Sequence, residues 1–318
     1  MSCKKDNYMH KNCFLLCLAI SALIILFSCN DSPNIDIKPV NISDAENKPV
    51  ANQIDSFYPG GIKRTYLLHV PSSYSGRNRT PLVIALHGYS GNALDFAKHT
   101  KLSVKSNDED FIVVYPNGLT IPPNTNGPQA WNAGGFFEEW TGGADDVGFI
   151  SQLIDLICQY YLIDTTRIYI TGHSNGAMMA YRLGFELSDK IAAIAPHSGQ
   201  MVYTPAGKMN SPVHVLHLHG LNDYNVNYYG SNDSLEMIYD AVDTVLGRWS
   251  AQFSGNTLPD TIYSDPEYII KEWKSNMNGP AIQLYLSNSA GHTWFTLENS
   301  GISATDVIWD FFKSHPKK

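Results

Sequence analysis

A serine hydroxyl becomes a nucleophile only when a base removes its proton and a carboxylate holds that base in place. Three residues of this chain stand where such a set could form: Ser174, Asp223 and His292. Ser174 lies within Gly172-His173-Ser174-Asn175-Gly176, a Gly-x-Ser-x-Gly pentapeptide. The run before it, Arg167-Ile168-Tyr169-Ile170-Thr171, is β-branched and aromatic and reads as a buried strand. The run after it, Ala177-Met178-Met179-Ala180, is made of good helix formers. Strand, tight turn and helix in that order form the context in which the pentapeptide holds a nucleophile on a strained elbow. Side chains at Gly172 and Gly176 would collide with neighbouring backbone, and the helix start favours negative charge near the hydroxyl.

The acid and the base are expected later in the chain, in the order Ser, Asp, His. Asp223 follows a strand over 213–218, on His219-Gly220-Leu221-Asn222-Asp223, and His292 follows a strand over 282–286, on Ser289-Ala290-Gly291-His292-Thr293-Trp294. An acyl-transfer site also needs donors for the developing oxyanion. The amide of Asn175 is one candidate, and the amide of Tyr89, in His87-Gly88-Tyr89-Ser90-Gly91 after a strand over 82–86, is the other. Of the competing histidines, only His173 reads as supportive. His173 should point away from the nucleophile, and His197 has no nearby acid in sequence. His217-x-His219 has a metal-like spacing but lacks further ligands at suitable positions, so the expectation is no metal and no organic cofactor.

These residues need a scaffold. Strand patterns recur at 64–70, 82–86, 111–115, 167–171, 191–195, 213–218 and 282–286, and helical patterns at 147–160, 175–187, 234–249 and 305–312. Alternation of near-continuous apolar strands with helices predicts an α/β three-layer sandwich, a mostly parallel sheet with helices on both faces. Asp145 and Asp146 are expected to cap the helix that follows them. Two segments break the rhythm: residues 119–144, rich in Pro, Gly and aromatics, and residues 224–230, with three tyrosines. Long aromatic loops beyond strand ends are candidate substrate walls, and from them and the late loop we take Trp131, Trp140, Tyr224 and Trp294 as substrate-binding candidates.

The whole chain has 318 residues, 43% hydrophobic and 16% charged, with a formal charge of −8. That is a globular composition with no basic face for nucleic acid. The first residues differ in kind. Lys4, Lys5 and Lys11 precede an apolar run from Phe14 to Phe27, too short for a membrane span of about 20 residues and suited to a signal peptide. An uncleaved anchor is the alternative. The run ends Leu26-Phe27-Ser28-Cys29, which resembles a bacterial lipoprotein signal and implies lipidation at Cys29 after cleavage. The expected division is signal peptide 1–28, flexible tether 29–53 and one catalytic domain 54–318. Four of the five cysteines, Cys3, Cys13, Cys17 and Cys29, fall in or beside the signal, and Cys158 reads as a small core residue.

Several short motifs carry a family resemblance. They are Leu86-His87-Gly88-Tyr89-Ser90-Gly91, Tyr115-Pro116-Asn117-Gly118, Trp131-Asn132, Asp145-Asp146-Val147-Gly148, the Gly-His-Ser-Asn-Gly elbow, His219-Gly220 through Asp223, Gly291-His292-Thr293-Trp294 and Asp306-Val307-Ile308-Trp309. Over residues 60–315 the chain resembles the extracellular polyhydroxybutyrate depolymerase and feruloyl esterase group of the α/β-hydrolases. The resemblance implies a monomeric serine carboxylesterase, held at the cell envelope by its lipid or secreted. Its substrate would be a hydroxycinnamoyl ester on plant polysaccharide, with acetyl xylan or 3-hydroxybutyrate esters as alternatives. A non-catalytic surface-binding lipoprotein and a peptidase are the readings from other classes. Phe295 stands where the family usually has proline after His-x-Trp, a change that bears on the pocket rim, and the disulfides common in secreted members are absent.

Overall fold

In a computed structural model the described residues are 53–123, 125–231, 239–275 and 279–318, so the expected signal peptide, Cys29 and nearly all of the expected tether lie outside them. The chain begins with an antiparallel pair, β1 (Gln53–Phe57) and β2 (Arg64–His69), and continues through β3 (Thr80–Leu86), α1 (Ala93–Thr100), α2 (Leu102–Glu109) and β4 (Ile112–Pro116). A two-strand ribbon, β5 (Leu119–Thr120) with β6 (Gln129–Ala130), and a short helix α3 (Phe136–Trp140) occupy the long aromatic segment. Next come α4 (Asp146–Tyr160), β7 (Ile163–His173), α5 (Asn175–Glu186), β8 (Ala193–His197), β9 (His214–Gly220) and α6 (Val242–Ala251). The chain closes with β10 (Asp260–Ser264), β11 (Tyr268–Trp273), β12 (Ile282–Ser287), α7 (Leu297–Ser300) and α8 (Ala304–Ser314).

One sheet of ten strands runs β1-β2-β4-β3-β7-β8-β9-β12-β11-β10. The six strands from β4 to β12 pair in parallel, and two antiparallel strands extend each edge. Successive residues of a strand point to opposite faces, and the core divides accordingly. Ile84, Val114, Ile170, Ile194 and Val215 face one apolar layer with Ile154, Met179 and Leu246 of α4, α5 and α6. Their neighbours Ala85, Val113, Tyr169, Ala193 and Leu216 face the other, with Phe96, Leu102, Ile308 and Phe312 of α1, α2 and α8. The three-layer α/β sandwich is therefore the fold. β3 is buried along its whole length, which is why it reads as a continuous apolar run rather than an alternating one.

The structure departs from the sequence pattern in identifiable places. β10 and β11 were not expected: β10 is an exposed edge strand of mixed polarity and leaves no burial signature. α1 is set by its cap, with Asn92 accepting from the Asp95 amide at 2.9 Å, rather than by a long apolar period. The helix expected over 234–249 is shorter: α6 starts at Val242, Tyr239 bridges Ser231 instead, and residues 232–238 lie outside the described set. Asp145 caps α4, accepting from the Gly148 amide at 2.8 Å.

Asp146 does not cap. It is buried in an ion pair with Arg64 at 2.6 Å and accepts from the Asn132 amide at 2.7 Å. Arg64 also donates to the Asn117 carbonyl, with its guanidinium 3.8 Å from the Phe149 ring. Burial pushes the Asp146 carboxyl up, against the charge of Arg64 that draws it down. This pair joins β2, the β4–β5 turn and the segment before α3, and its components separate by 82 residues in sequence. Breaking one half of a buried pair leaves the other charge uncompensated. We expect Asp146→Asn to lower unfolding free energy by about 3–5 kcal/mol, measured as the urea midpoint and slope against the parent protein.

Candidate active site

Every candidate catalytic residue sits at the carboxyl edge of the parallel strands. Ser174 follows β7 directly and is the N-cap of α5 with φ 56° and ψ −120°, a backbone conformation costly for a non-glycine residue. The surroundings enforce it. A Cβ on Gly172 would lie 2.4 Å from the Gly176 carbonyl oxygen, and one on Gly176 would lie 2.3 Å from the Leu86 oxygen. The Ser174 amide donates to the His197 carbonyl at the end of β8 at 2.9 Å. Its Oγ makes no hydrogen bond to the protein among the described residues, an open geometry common where a catalytic contact tightens only with substrate.

Asp223 and His292 lie 69 residues apart in sequence and meet in space. β9 and β12 are parallel neighbours with His219 opposite Leu286 and Gly220 opposite Ser287, so their following loops emerge side by side. His292 Nδ1 donates to Asp223 Oδ2 at 2.8 Å, which leaves Nε2 as the nitrogen able to accept a proton. Asp223 Oδ1 accepts from the amides of Asn225 and Val226 at 3.1 and 2.8 Å. Burial alone would raise this carboxyl; the hydrogen bonds from His292 and Val226 outweigh it and hold Asp223 below the usual carboxylate range. The His173 ring packs against that of His292, tilted, with ring centres 4.8 Å apart, which brings the turn at Ser174 and His292 together.

The loop after β3 lies against Ser174. A Cβ on Gly88 would meet Ser174 Cβ and the His173 carbonyl oxygen, both at 3.3 Å. His87 shapes this loop: its Nδ1 donates to the Gly88 carbonyl at 2.8 Å and its Nε2 accepts from the Gly118 amide at 3.0 Å. Those partners fix a neutral tautomer, and burial lowers the imidazole to about 4. Asn117 holds the same region by accepting from the Ala93 amide at 2.7 Å and donating to Thr65 Oγ1 at 2.9 Å. The Ser90 and Gly91 amides are taken by the Gln129 and Gly88 carbonyls. Among the described residues, those of Tyr89 and Asn175 have no protein acceptor.

Two of the four substrate-wall candidates belong to the core. Trp131 has 0% exposure; its Nε1 donates to the His87 carbonyl at 2.9 Å, and its backbone is bonded in both directions by the Asn175 side chain. Trp294 is 1% exposed, edge-on to Phe96 and bonded to Thr305 Oγ1. Neither can touch a substrate from there: both rings fill space behind the loops whose tips line the site. Phe295 is likewise buried, 4.3 Å from the His197 ring, so it does not shape the rim. Trp140 and Tyr224 remain at the surface, and Tyr89 joins them, its exposed ring 6.3 Å from that of Trp140.

The side chains that sequence reasoning left unassigned also have positions. A Cβ on Gly199 would lie 2.3 Å from the Ser174 carbonyl oxygen, so this glycine is as much part of the elbow as Gly172. Its signal was a small-residue turn directly after a strand, Ser198-Gly199. His217 and His219 bond to one another and to Tyr181 Oη and the Val226 carbonyl, which occupies all four of their ring nitrogens within the protein. Cys158 is half-buried against the core, and burial raises its thiol.

With that geometry in view, the chain can be compared with known proteins. Residues 73–253 match the Phospholipase/Carboxylesterase family. The chain belongs to that family. It is 34% identical over 258 residues to a bifunctional acetylxylan esterase/xylanase of Neocallimastix patriciarum, across 79% of this chain and 33% of that protein. It is 30% identical over 260 residues to feruloyl esterase B of Piromyces equi, across 79% of this chain and 45% of that one. This chain thus spans between a third and a half of the length of these relatives. An acetyl xylan esterase from Aspergillus awamori shares the fold, with a TM-score of 0.60 at 16% identity over 82% of this chain and 99% of that one.

Two outcomes follow from the site's packing and charge. Gly176→Ala should lose most activity and lower the melting temperature, because the new methyl meets backbone at Leu86 that cannot move aside; an unchanged variant would show the elbow to be looser than described. Burial lowers His87 to about 4 and His173 to about 3, so in the folded state both stay neutral where unfolded histidine, near 6.5, already binds protons. The stability they contribute is present above about pH 6.5 and is lost progressively as pH falls towards 4 and 3. Urea midpoints measured from pH 7.5 down to pH 4.5 should decline; a flat profile would count against neutral buried imidazoles.

Proposed function

We propose that this protein is a serine carboxylesterase acting on esters linked to plant polysaccharide, with Ser174 as nucleophile, His292 as base and Asp223 as the acid that orients it. The observation that carries the reading is the conjunction of a strained Ser174 with a hydrogen-bonded Asp223–His292 pair at one sheet edge. His292 Nε2 takes the Ser174 proton as Oγ attacks the ester carbonyl. The amides of Tyr89 and Asn175 receive the oxyanion. Collapse expels the alcohol, which leaves with the proton from His292, and an acyl-serine remains. Water then enters, gives its proton to His292 and attacks the acyl carbon; the acid departs and Ser174 regains its proton. Asp223 holds Nδ1–H throughout and stabilises the imidazolium.

For the acyl group we favour hydroxycinnamate, with Tyr89, Trp140 and Tyr224 as the accessible aromatic edge. Acetyl is the second reading, supported by the burial of Trp131 and Trp294, which leaves a smaller aromatic wall than a ring clasp built from all four residues. In both readings the domain from residue 54 is the catalytic unit, working as a monomer without metal or cofactor. Residues 29–53 tether it to a lipid on Cys29 at the cell envelope, after removal of a signal over residues 1–28. Among the described residues no helix is long and apolar enough to cross a membrane.

The test is a side-by-side assay of the parent protein and Ser174→Ala on methyl ferulate, acetylated xylan and 3-hydroxybutyrate oligomers. Turnover in the variant should fall by about 10⁴-fold or more on whichever ester is cleaved. Trp140→Ala should raise KM for the ferulate ester several-fold with little change on acetyl esters. Equal loss on both would point to a structural role for that ring, and turnover retained by Ser174→Ala would sink the mechanism.

A further inference from the structure

Behind the acid lies a line of buried polar side chains that the mechanism above does not use. Tyr181 of α5, His217 and His219 of β9 are all fully buried, in a layer otherwise filled by aliphatic and aromatic groups. Tyr181 Oη is 2.8 Å from His217 Nδ1, His217 Nε2 is 3.0 Å from His219 Nδ1, and His219 Nε2 is 2.8 Å from the Val226 carbonyl oxygen. His219 Nε2 also lies 3.7 Å from Asp223 Oδ2.

The direction of every proton in this line is determined by its last member. A carbonyl oxygen only accepts, so His219 must carry its proton on Nε2. A neutral His219 then presents a lone pair at Nδ1, which requires His217 to donate from Nε2. His217 Nδ1 is in turn an acceptor, and the Tyr181 hydroxyl must donate to it. Neutral rings are what the site demands, since burial disfavours the charged form of both and no carboxylate other than Asp223 faces them. The other titratable groups around the line are His197, His173, His292 and Tyr228, none of which supplies a negative charge while its proton is in place.

We infer that Tyr181, His217 and His219 form a one-way donor chain that positions the catalytic acid. The chain begins on the helix that Ser174 caps and ends on the loop that carries Asp223. His219 grips the Val226 carbonyl, and the amide of the same residue donates to Asp223 Oδ1, so the acid loop is closed on itself from below. The aligned N–H groups also turn their positive ends towards the carboxylate, which favours its ionised form without adding a charge. This role rests on the proposed esterase reading. It makes the three side chains positioning residues, not catalytic ones.

Three measurements on the full protein test it. His219→Phe keeps the ring volume and removes both bonds; kcat should fall by about 10²-fold, the scale of a misplaced catalytic group, with KM within about two-fold. The acid limb of its kcat/KM profile should move to lower pH, because a less firmly held Asp223 stabilises the His292 imidazolium less. Tyr181→Phe removes only the first donor and should give a smaller loss with the same sign. Nitrogen NMR of histidine-labelled parent protein should show His217 and His219 as Nε2–H tautomers that do not titrate between pH 5 and 8. A folded His219→Phe with parental kcat and pH profile overturns the inference, as does either ring found as Nδ1–H or titrating in that range. Loss of ester hydrolysis in Ser174→Ala shows separately whether the esterase reading stands.

Discussion

The close approach of three backbone segments around Ser174 is the constraint from which the rest of the molecule follows. β7 must turn into α5 within one residue, with Gly176 against the Leu86 carbonyl and Gly199 against the carbonyl of Ser174 itself. A positive φ at Ser174 is unfavourable alone, and it persists because β3, β7 and β8 are held in register on either side. The sheet therefore has two tasks. It buries the apolar layers that stabilise the fold, and it supplies the rigid frame that keeps one serine in a conformation an exposed loop would relax.

Polar interactions fix the loops that this frame leaves free. Asn175 uses its side chain to bond Trp131 in both directions, so the residue whose amide lies beside Ser174 also anchors the long aromatic segment. Arg64 and Asp146 bind that segment from the far side through Asn132 and Asn117. His87 ties the loop after β3 to the turn after β4. Each of these groups is buried, and each would be costly unpaired. Their geometries are consequently narrow, and loops lacking regular secondary structure acquire the rigidity of the sheet they decorate.

The electrostatics of the centre depend on which histidines stay neutral. His173, His197, His217 and His219 are all held uncharged by burial, and His173, His197 and His219 lie near His292, whose Nδ1 is hydrogen-bonded to the Asp223 carboxylate. Asp223, satisfied by two amides and one imidazole, stays ionised within the same enclosure.

The local sequence determined what depends on neighbours along the chain. Strand, turn and helix around Ser174, the apolar parallel strands and the position of Asp223 and His292 just after later strands could be read directly, since periodicity and glycine placement reflect local sterics. Asp145 as a cap was legible for the same reason, whereas its neighbour Asp146 was not, because the partner that claims it is Arg64 on a distant strand. Trp131 and Trp294 showed the same limit: an aromatic in a loop can face solvent or core, and only the packing of layers decides. β10, an exposed edge strand, and the partly buried β11 beside it lack the alternation of a half-buried strand with one core face, so neither left a readable signal. What tertiary structure alone supplied was partners, above all for His217 and His219. Their spacing hinted at metal, but contact with Tyr181 and Val226 gives each ring nitrogen a protein partner.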